Sequence, residues 1–336
     1  MAEPEAEPEV EPEPEPESEA ESEITGSSNT EPEPNWSTAF DQWGPAWHLH
    51  VYIVATAFML IAIFTAMSMV VYLRDKRLLK QGTLTFTLQC LLLYFTLLRS
   101  LVMFINPYQT SDTINDTVFH MMWSFALPGL TASFSVLLLV FLDTTKMTLG
   151  PPLFQKLSVL LVFTACHFVI VVLSDVICIL SESSCKPMLM FCQSLFILYG
   201  TSLSAGYLYT AVSLHRKCVT GVISAAENKK MLRLIRISGF GAIIAFSIAV
   251  THLYAACSKF GIYSDVTYVN AWDWWVLQSV LRVEEITSSC LILLIAFRNP
   301  FSDTCKIKQW MTNSLNRKTN PLQNTAITVI DKTEMP

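Results

Sequence analysis

Seven apolar runs dominate this chain: 48–73, 83–105, 119–142, 157–180, 188–213, 237–257 and 271–297. A helix crosses the hydrocarbon core of a bilayer with about 20 mostly apolar residues. In hydrocarbon each backbone amide must be satisfied within its own segment, so the runs are predicted helices. The expected fold class is all-α integral membrane, a seven-transmembrane-helix bundle. Composition points the same way. Of 336 residues, 52% are hydrophobic and 15% charged, too apolar for an ordinary soluble domain.

The net charge of -6 conceals a division. Residues 1–49 hold 14 of the 28 acidic groups and no Lys or Arg, so an acidic tail precedes a basic body. The tail reads "EPEAEPEVEPEPEPESEAESE". Its like charges repel, and it offers nothing apolar to bury, so residues 1–46 are predicted to be a disordered acidic Glu/Pro-rich extracellular tail. It reads as a solvated spacer, or else as a ligand for a basic partner or Ca²⁺. No basic stretch followed by an apolar core precedes residue 48, so the first helix is expected to be an uncleaved anchor. Residues 47–298 form the expected transmembrane domain and 299–336 a cytoplasmic tail.

Lys and Arg counts set the orientation. Loops after the odd-numbered runs, together with the C-terminal tail, carry 18 of them. The N-terminal tail and the remaining loops carry 2. The N-terminus is therefore expected outside and the C-terminus in the cytoplasm. Two sequons, Asn35-Trp36-Ser37 and Asn115-Asp116-Thr117, fall on the expected outer side as glycosylation candidates. Trp36, Trp43, Trp47, Trp123, Trp272, Trp274 and Trp275 gather at the same side, as an interfacial aromatic belt would.

Charge inside a bilayer is costly, so each instance needs a partner or a purpose. Counting about 1.5 Å per residue from the helix ends places Arg99, Asp175, His252, Gln193 and Gln278 about 8–10 Å below the outer edge. Arg99 and Asp175 are the natural ion pair of that layer. A second layer, about 17–21 Å deep, holds Arg282, Glu284, Glu285 and His167. Arg282 and Glu285 are i, i+3 neighbours and can pair on their own helix, whereas Glu284 needs another donor or is protonated. Gln278, Arg282, Glu285 and Ser289 form one helical stripe, and Thr85, Gln89, Thr96 and Arg99 another. Ser124, Pro128, Thr131 and Ser135 form a third, with Pro128 an expected kink. These groups either knit the helices together or line a binding cavity or ion path. Small residues at Gly200, Thr201, Ser204 and Ala205, and at Gly239, Gly241 and Ala242, are expected to permit close helix packing.

Four of the nine cysteines, Cys178, Cys185, Cys192 and Cys257, lie near the expected oxidising face and are disulfide candidates. Cys305 lies in "FRNPFSDTCKIKQWM", a moderately amphipathic run suited to the inner membrane surface, and is a lipidation candidate. His48, His50, His120 and His252 lack ligand spacing such as H-x-x-x-H, so no metal is expected, nor any cofactor. No G-x-S-x-G, P-loop or G-x-G-x-x-G occurs, and adjacent Glu284 and Glu285 face different ways, so an enzyme is not expected.

Seven helices with the N-terminus out suggest a G-protein-coupled receptor, but the residues argue against one. The third run ends "FLDTTKM", without an Asp-Arg-Tyr run. The sixth reads "SIAVTHLY", without Cys-Trp-x-Pro, and Asn299-Pro300 follows the seventh without the Tyr. By contrast "AWHLHVYIVATAF" (46–58), "LLRSLVMFINPYQT" (97–110), "LPGLTASFSVLLL" (127–139) and "AWDWWVLQSVLRVEE" (271–285) resemble the multi-pass C-terminal domain of proline-rich transmembrane proteins 3 and 4. The likeness covers most of 46–298, with a short Glu-Pro tail in place of the family's long proline-rich outer region. It implies a membrane bundle of this topology and no particular biochemical activity.

The expected protein is a receptor-like or scaffold membrane protein of the plasma membrane or secretory pathway. Its candidate partners are the bilayer, an extracellular ligand, and a cytosolic adaptor or anionic lipid at the basic loop 215–236; no nucleic acid is expected. The alternative is an ion- or proton-coupled carrier that titrates Glu284 or Glu285, although the sequence shows no internal repeat.

Overall fold

A computed structural model describes residues 31–74, 82–111, 113–145, 147, 155–220 and 225–301. Nine α-helices in the described residues follow one another: α1 (Trp36–Trp43), α2 (Pro45–Arg74), α3 (Thr83–Ile105), α4 (Asp116–Ser124), α5 (Ala126–Thr145), α6 (Leu157–Leu180), α7 (Glu182–Val219), α8 (Ala225–Cys257) and α9 (Ala271–Phe301). A 3-10 turn, Pro107–Gln109, closes α3. Two short strands, β1 (Glu33–Pro34) and β2 (Tyr268–Val269), pair in parallel and tie the N-terminal segment to the connection between α8 and α9.

Six helical stretches among the described residues are long and apolar enough to cross a membrane: Pro45–Arg74, Thr83–Gln109, Asp116–Thr145, Leu157–Leu180, Ser183–Val219 and Met231–Cys257. The seventh expected run is also a helix, α9, of 31 residues. Charge sets it apart from the other six: Arg282, Glu284 and Glu285 lie close together within its apolar stretch.

At the centre stands α5, apolar on every side and buried along nearly its whole length. It packs against α3, α6, α7 and α9. Pro128 has no N–H to offer the Ser124 carbonyl one turn back, and the helix breaks into α4 and α5 at Phe125. Around α5, α2 packs on α3, and α7 on α8. Close approach in the second pair uses Gly200, whose Cβ position lies 3.4 Å from the Ala249 side chain, and Ser204, which donates to the Ala242 carbonyl at 2.9 Å. Gly241 admits the Tyr207 ring. Thr201 and Ala205 are exposed and nothing lies within 4 Å of a Cβ at Gly239, so those members of the expected small-residue set do not make the contact.

Two sequence expectations about the ends are corrected. The segment read as tail to residue 46 includes β1 and α1, because Trp36, Phe40 and Trp43 on α1 have an aromatic surface to pack against. Gly44, at φ 48°, turns the chain sharply from α1 into Pro45 of α2. The basic stretch 215–236 is mostly helix, with α7 running to Val219 and α8 starting at Ala225. Cys305 and the rest of the 299–336 tail after Phe301 lie outside the described residues.

Candidate functional site

The stripe on α9 faces the bundle. Glu285 accepts from Arg99 Nη2 of α3 through Oε1 at 2.7 Å and from Arg282 Nη1 through Oε2 at 2.5 Å. All three are buried, with Arg99 2%, Arg282 3% and Glu285 4% exposed. Trp123 of α4 lies against both guanidinium groups, its ring centroid 4.5 Å from Arg99 Cζ and 4.9 Å from Arg282 Cζ. Such contacts are each worth about 2 kcal/mol where the cation is desolvated. Arg99 Nη1 also reaches the Trp123 carbonyl at 3.5 Å.

This arrangement replaces the expected Arg99–Asp175 pair, and it merges parts of two expected layers. Depth counted from helix ends presumes that all ends lie in one plane. The end of α3 does not: Asn106 is 0% and Tyr108 5% exposed, so the helix stops inside the bundle. Asn106 precedes Pro107 and leaves helical geometry at φ −146°, ψ 78°. A count from there makes Arg99 too shallow. Asp175 on α6 instead accepts from Ser124 Oγ at 3.1 Å. Helix α4 intervenes, with Trp123 toward Arg99 and the next residue, Ser124, toward Asp175.

The other expected site residues are spread over separate contacts. Glu284 Oε1 accepts from Ser247 Oγ and, at 2.9 Å, from Thr251 Oγ1, both on α8. The His252 ring stands 4.6 Å from that of Phe196. Thr131 Oγ1 and His167 Nδ1 are 3.4 Å apart. Gln193 Oε1 and Gln278 Oε1 are buried without a hydrogen-bond partner among the described residues. Further bonds run between helices from Gln89 Nε2 to Ser68 Oγ (2.7 Å), from Ser100 Oγ to the Ala55 carbonyl (3.0 Å) and from Tyr207 Oη to the Phe134 carbonyl (2.6 Å).

Sequence reading missed what covers the ion cluster. Tyr108 sits at φ 53° in the 3-10 turn, a conformation that costs a non-glycine residue about 1–2 kcal/mol. Its ring packs against Trp47, Trp123 and Trp274. His50 of α2 joins the turn to α9, with Nε2 2.9 Å from Tyr108 Oη and Nδ1 3.2 Å from Ser279 Oγ. Above them Trp36 of α1 makes edge contacts with Trp43, Trp47 and Trp274. Trp43, Trp47 and Trp274 are 3%, 6% and 5% exposed, so these rings form a packed cap and not a belt at the lipid–water boundary. The signal was present as tryptophans crowded at one end of the chain's helices, but it did not distinguish inward from outward rings.

At the same end Cys178 and Cys185 are joined in a disulfide between α6 and α7, while Cys192 and Cys257 are free. Asn35 and Asn115 are both exposed there. Asn115 caps α4, its Oδ1 accepting from the Thr117 amide at 3.0 Å. Among the described residues no group of three or more His, Cys, Asp or Glu side chains is placed to hold a metal ion.

The family model of the proline-rich transmembrane protein 3 domain matches residues 20–314. The chain belongs to this family. The matched span takes in β1, α1 and every helix after them, so the aromatic cap and the ion cluster both lie within the family domain. Family membership and the six apolar helices together make it a multi-pass membrane protein in contact with the bilayer. No curated protein matches the chain.

Proposed function

We propose that this is a seven-span, non-enzymatic membrane protein of the receptor or scaffold kind, with α9 as the seventh span. The observation that carries this reading is the Arg99–Glu285–Arg282 cluster. Glu285 holds both arginines inside the bundle, and aromatic rings cover them. A span that bears charge must turn it inward, and α9 does so while Val276, Val280, Val283 and Leu294 remain exposed on its other side. The aromatic end faces the cell exterior or the secretory lumen. The excess of Lys and Arg at the opposite end supports that orientation, as do the disulfide and the two exposed asparagine sequons. An extracellular ligand would meet the chain at α1 and the cap. Anionic lipid or a cytosolic adaptor would meet the exposed Arg216, Lys217, Lys229, Arg233 and Arg236 at the opposite ends of α7 and α8.

Tagging decides the topology: an epitope ahead of Trp47 should be stained on intact cells and one after Pro336 only after permeabilisation. The carrier alternative draws on Glu284, whose Oε2 is buried without a hydrogen-bond partner among the described residues. Reconstituted vesicles separate the two. A receptor or scaffold gives no pH-driven flux, whereas flux abolished by Glu284→Gln or Glu285→Gln would establish a carrier.

A further inference from the structure

Two guanidinium groups share one carboxylate at the heart of this bundle. Each oxygen of Glu285 takes one arginine, so the trio carries one uncompensated positive charge. Arg99 Nε and Arg282 Nε are both buried, and neither has an acceptor among the described residues. Trp123 packs on both cations but offers only a ring face and a carbonyl 3.5 Å from Arg99 Nη1. Neighbouring carboxylates do not supply the missing charge. Glu284 is turned to Ser247 and Thr251 on α8. Asp175 is held by Ser124 beyond α4. Surplus charge and unmet donors are both expensive away from water.

We propose that the Arg99–Arg282 pair binds one small monovalent anion, a halide or a short carboxylate. The anion accepts from guanidinium N–H donors and brings the cluster to neutrality. Charge-assisted bonds of this kind are the strong class of hydrogen bond. Tyr108, packed against Trp47, Trp123 and Trp274, covers the cluster on its aromatic side. The site depends only on the charge count and the unmet donors, and holds whether the bundle signals or scaffolds.

The test is thermal melting of the purified full-length chain at constant ionic strength, with sodium gluconate replaced stepwise by chloride, bromide or acetate. A saturable rise of several degrees over gluconate is expected. The halide and acetate arms distinguish a free halide from a carboxylate group. Arg282→Gln neutralises the cluster and should lose the rise. Lys259→Gln removes an exposed cation, with its bridge to Asp273 and its contact with the Phe260 ring, and should keep the rise. If Arg282→Gln does not fold, equilibrium dialysis of the wild-type chain against labelled chloride and labelled acetate decides, with one saturable site expected for at least one of them. Identical melting in all four salts, an undiminished rise in Arg282→Gln, or no saturable uptake of either label overturns the proposal.

Discussion

Arg99 and Glu285, 186 positions apart in sequence, meet at 2.7 Å with side chains 2% and 5% exposed. That contact locks α3 to α9. Breaking a buried pair by removing one partner costs about 3–5 kcal/mol, because the survivor is left unpaired in a poor solvent for charge.

The first prediction concerns the order of damage. Glu285→Gln leaves two cations unpaired, whereas Arg99→Gln leaves the Arg282–Glu285 pair intact. Glu285→Gln should therefore lose at least about 3 kcal/mol, and Arg99→Gln clearly less. Melting of the two variants in one detergent measures this; an Arg99→Gln chain as unstable as Glu285→Gln would contradict the shared-carboxylate geometry.

Asp175 gives a second prediction, because the structure separates it from Arg99. The double variant Arg99→Asp, Asp175→Arg should express no better than Arg99→Asp alone. Asp175→Asn keeps an oxygen for the Ser124 hydroxyl and should cost no more than about 1–2 kcal/mol. Surface expression of these three variants beside the wild-type chain reads the outcome, and full rescue in the swap would restore the pairing that the sequence suggested.

The helices were legible because length and hydropathy are local properties, and all seven runs are helical. The inward stripes were legible as well: Thr85, Gln89, Thr96 and Arg99 are all buried, as are Arg282, Glu285 and Ser289. Partners were not legible, since a count of residues from a helix end says nothing about where that end lies. The buried stop at Asn106-Pro107 misplaced Arg99, and the long arginine side chain spans the remaining gap to Glu285. Helix α1 was missed because its 8 residues sit beside a Glu-Pro repeat and gain their stability from rings supplied by α2 and α9.

Tyr108 carries the third prediction. Tyr108→Phe removes the hydroxyl's bonds to His50 and Arg282 but keeps the ring, and should cost about 1–2 kcal/mol. Tyr108→Ala also removes the ring that separates the cap from the ion cluster, and should cost about 3–5 kcal/mol. Near-ultraviolet circular dichroism should lose tryptophan signal in Tyr108→Ala and keep it in Tyr108→Phe. Equal loss in both would place the turn's contribution in the hydroxyl and not in the ring.

The fourth prediction assigns the cysteines at the aromatic end. Cys178 closes a loop to Cys185 across the connection of α6 and α7, with a sequence separation of 7. A loop this short removes little chain entropy, so Cys178→Ser should cost only about 2–3 kcal/mol. Cys257 is exposed and Cys192 half-buried, both as free thiols. Non-reducing peptide mapping should therefore find Cys178 linked to Cys185, with Cys257 alkylated in the folded chain and Cys192 only after denaturation. A crosslinked peptide containing Cys192 or Cys257 would mean that α7 or α8 sits in a different rotation about its axis. The Ser204–Ala242 and Gly200–Ala249 contacts between those two helices would then have to be abandoned as well.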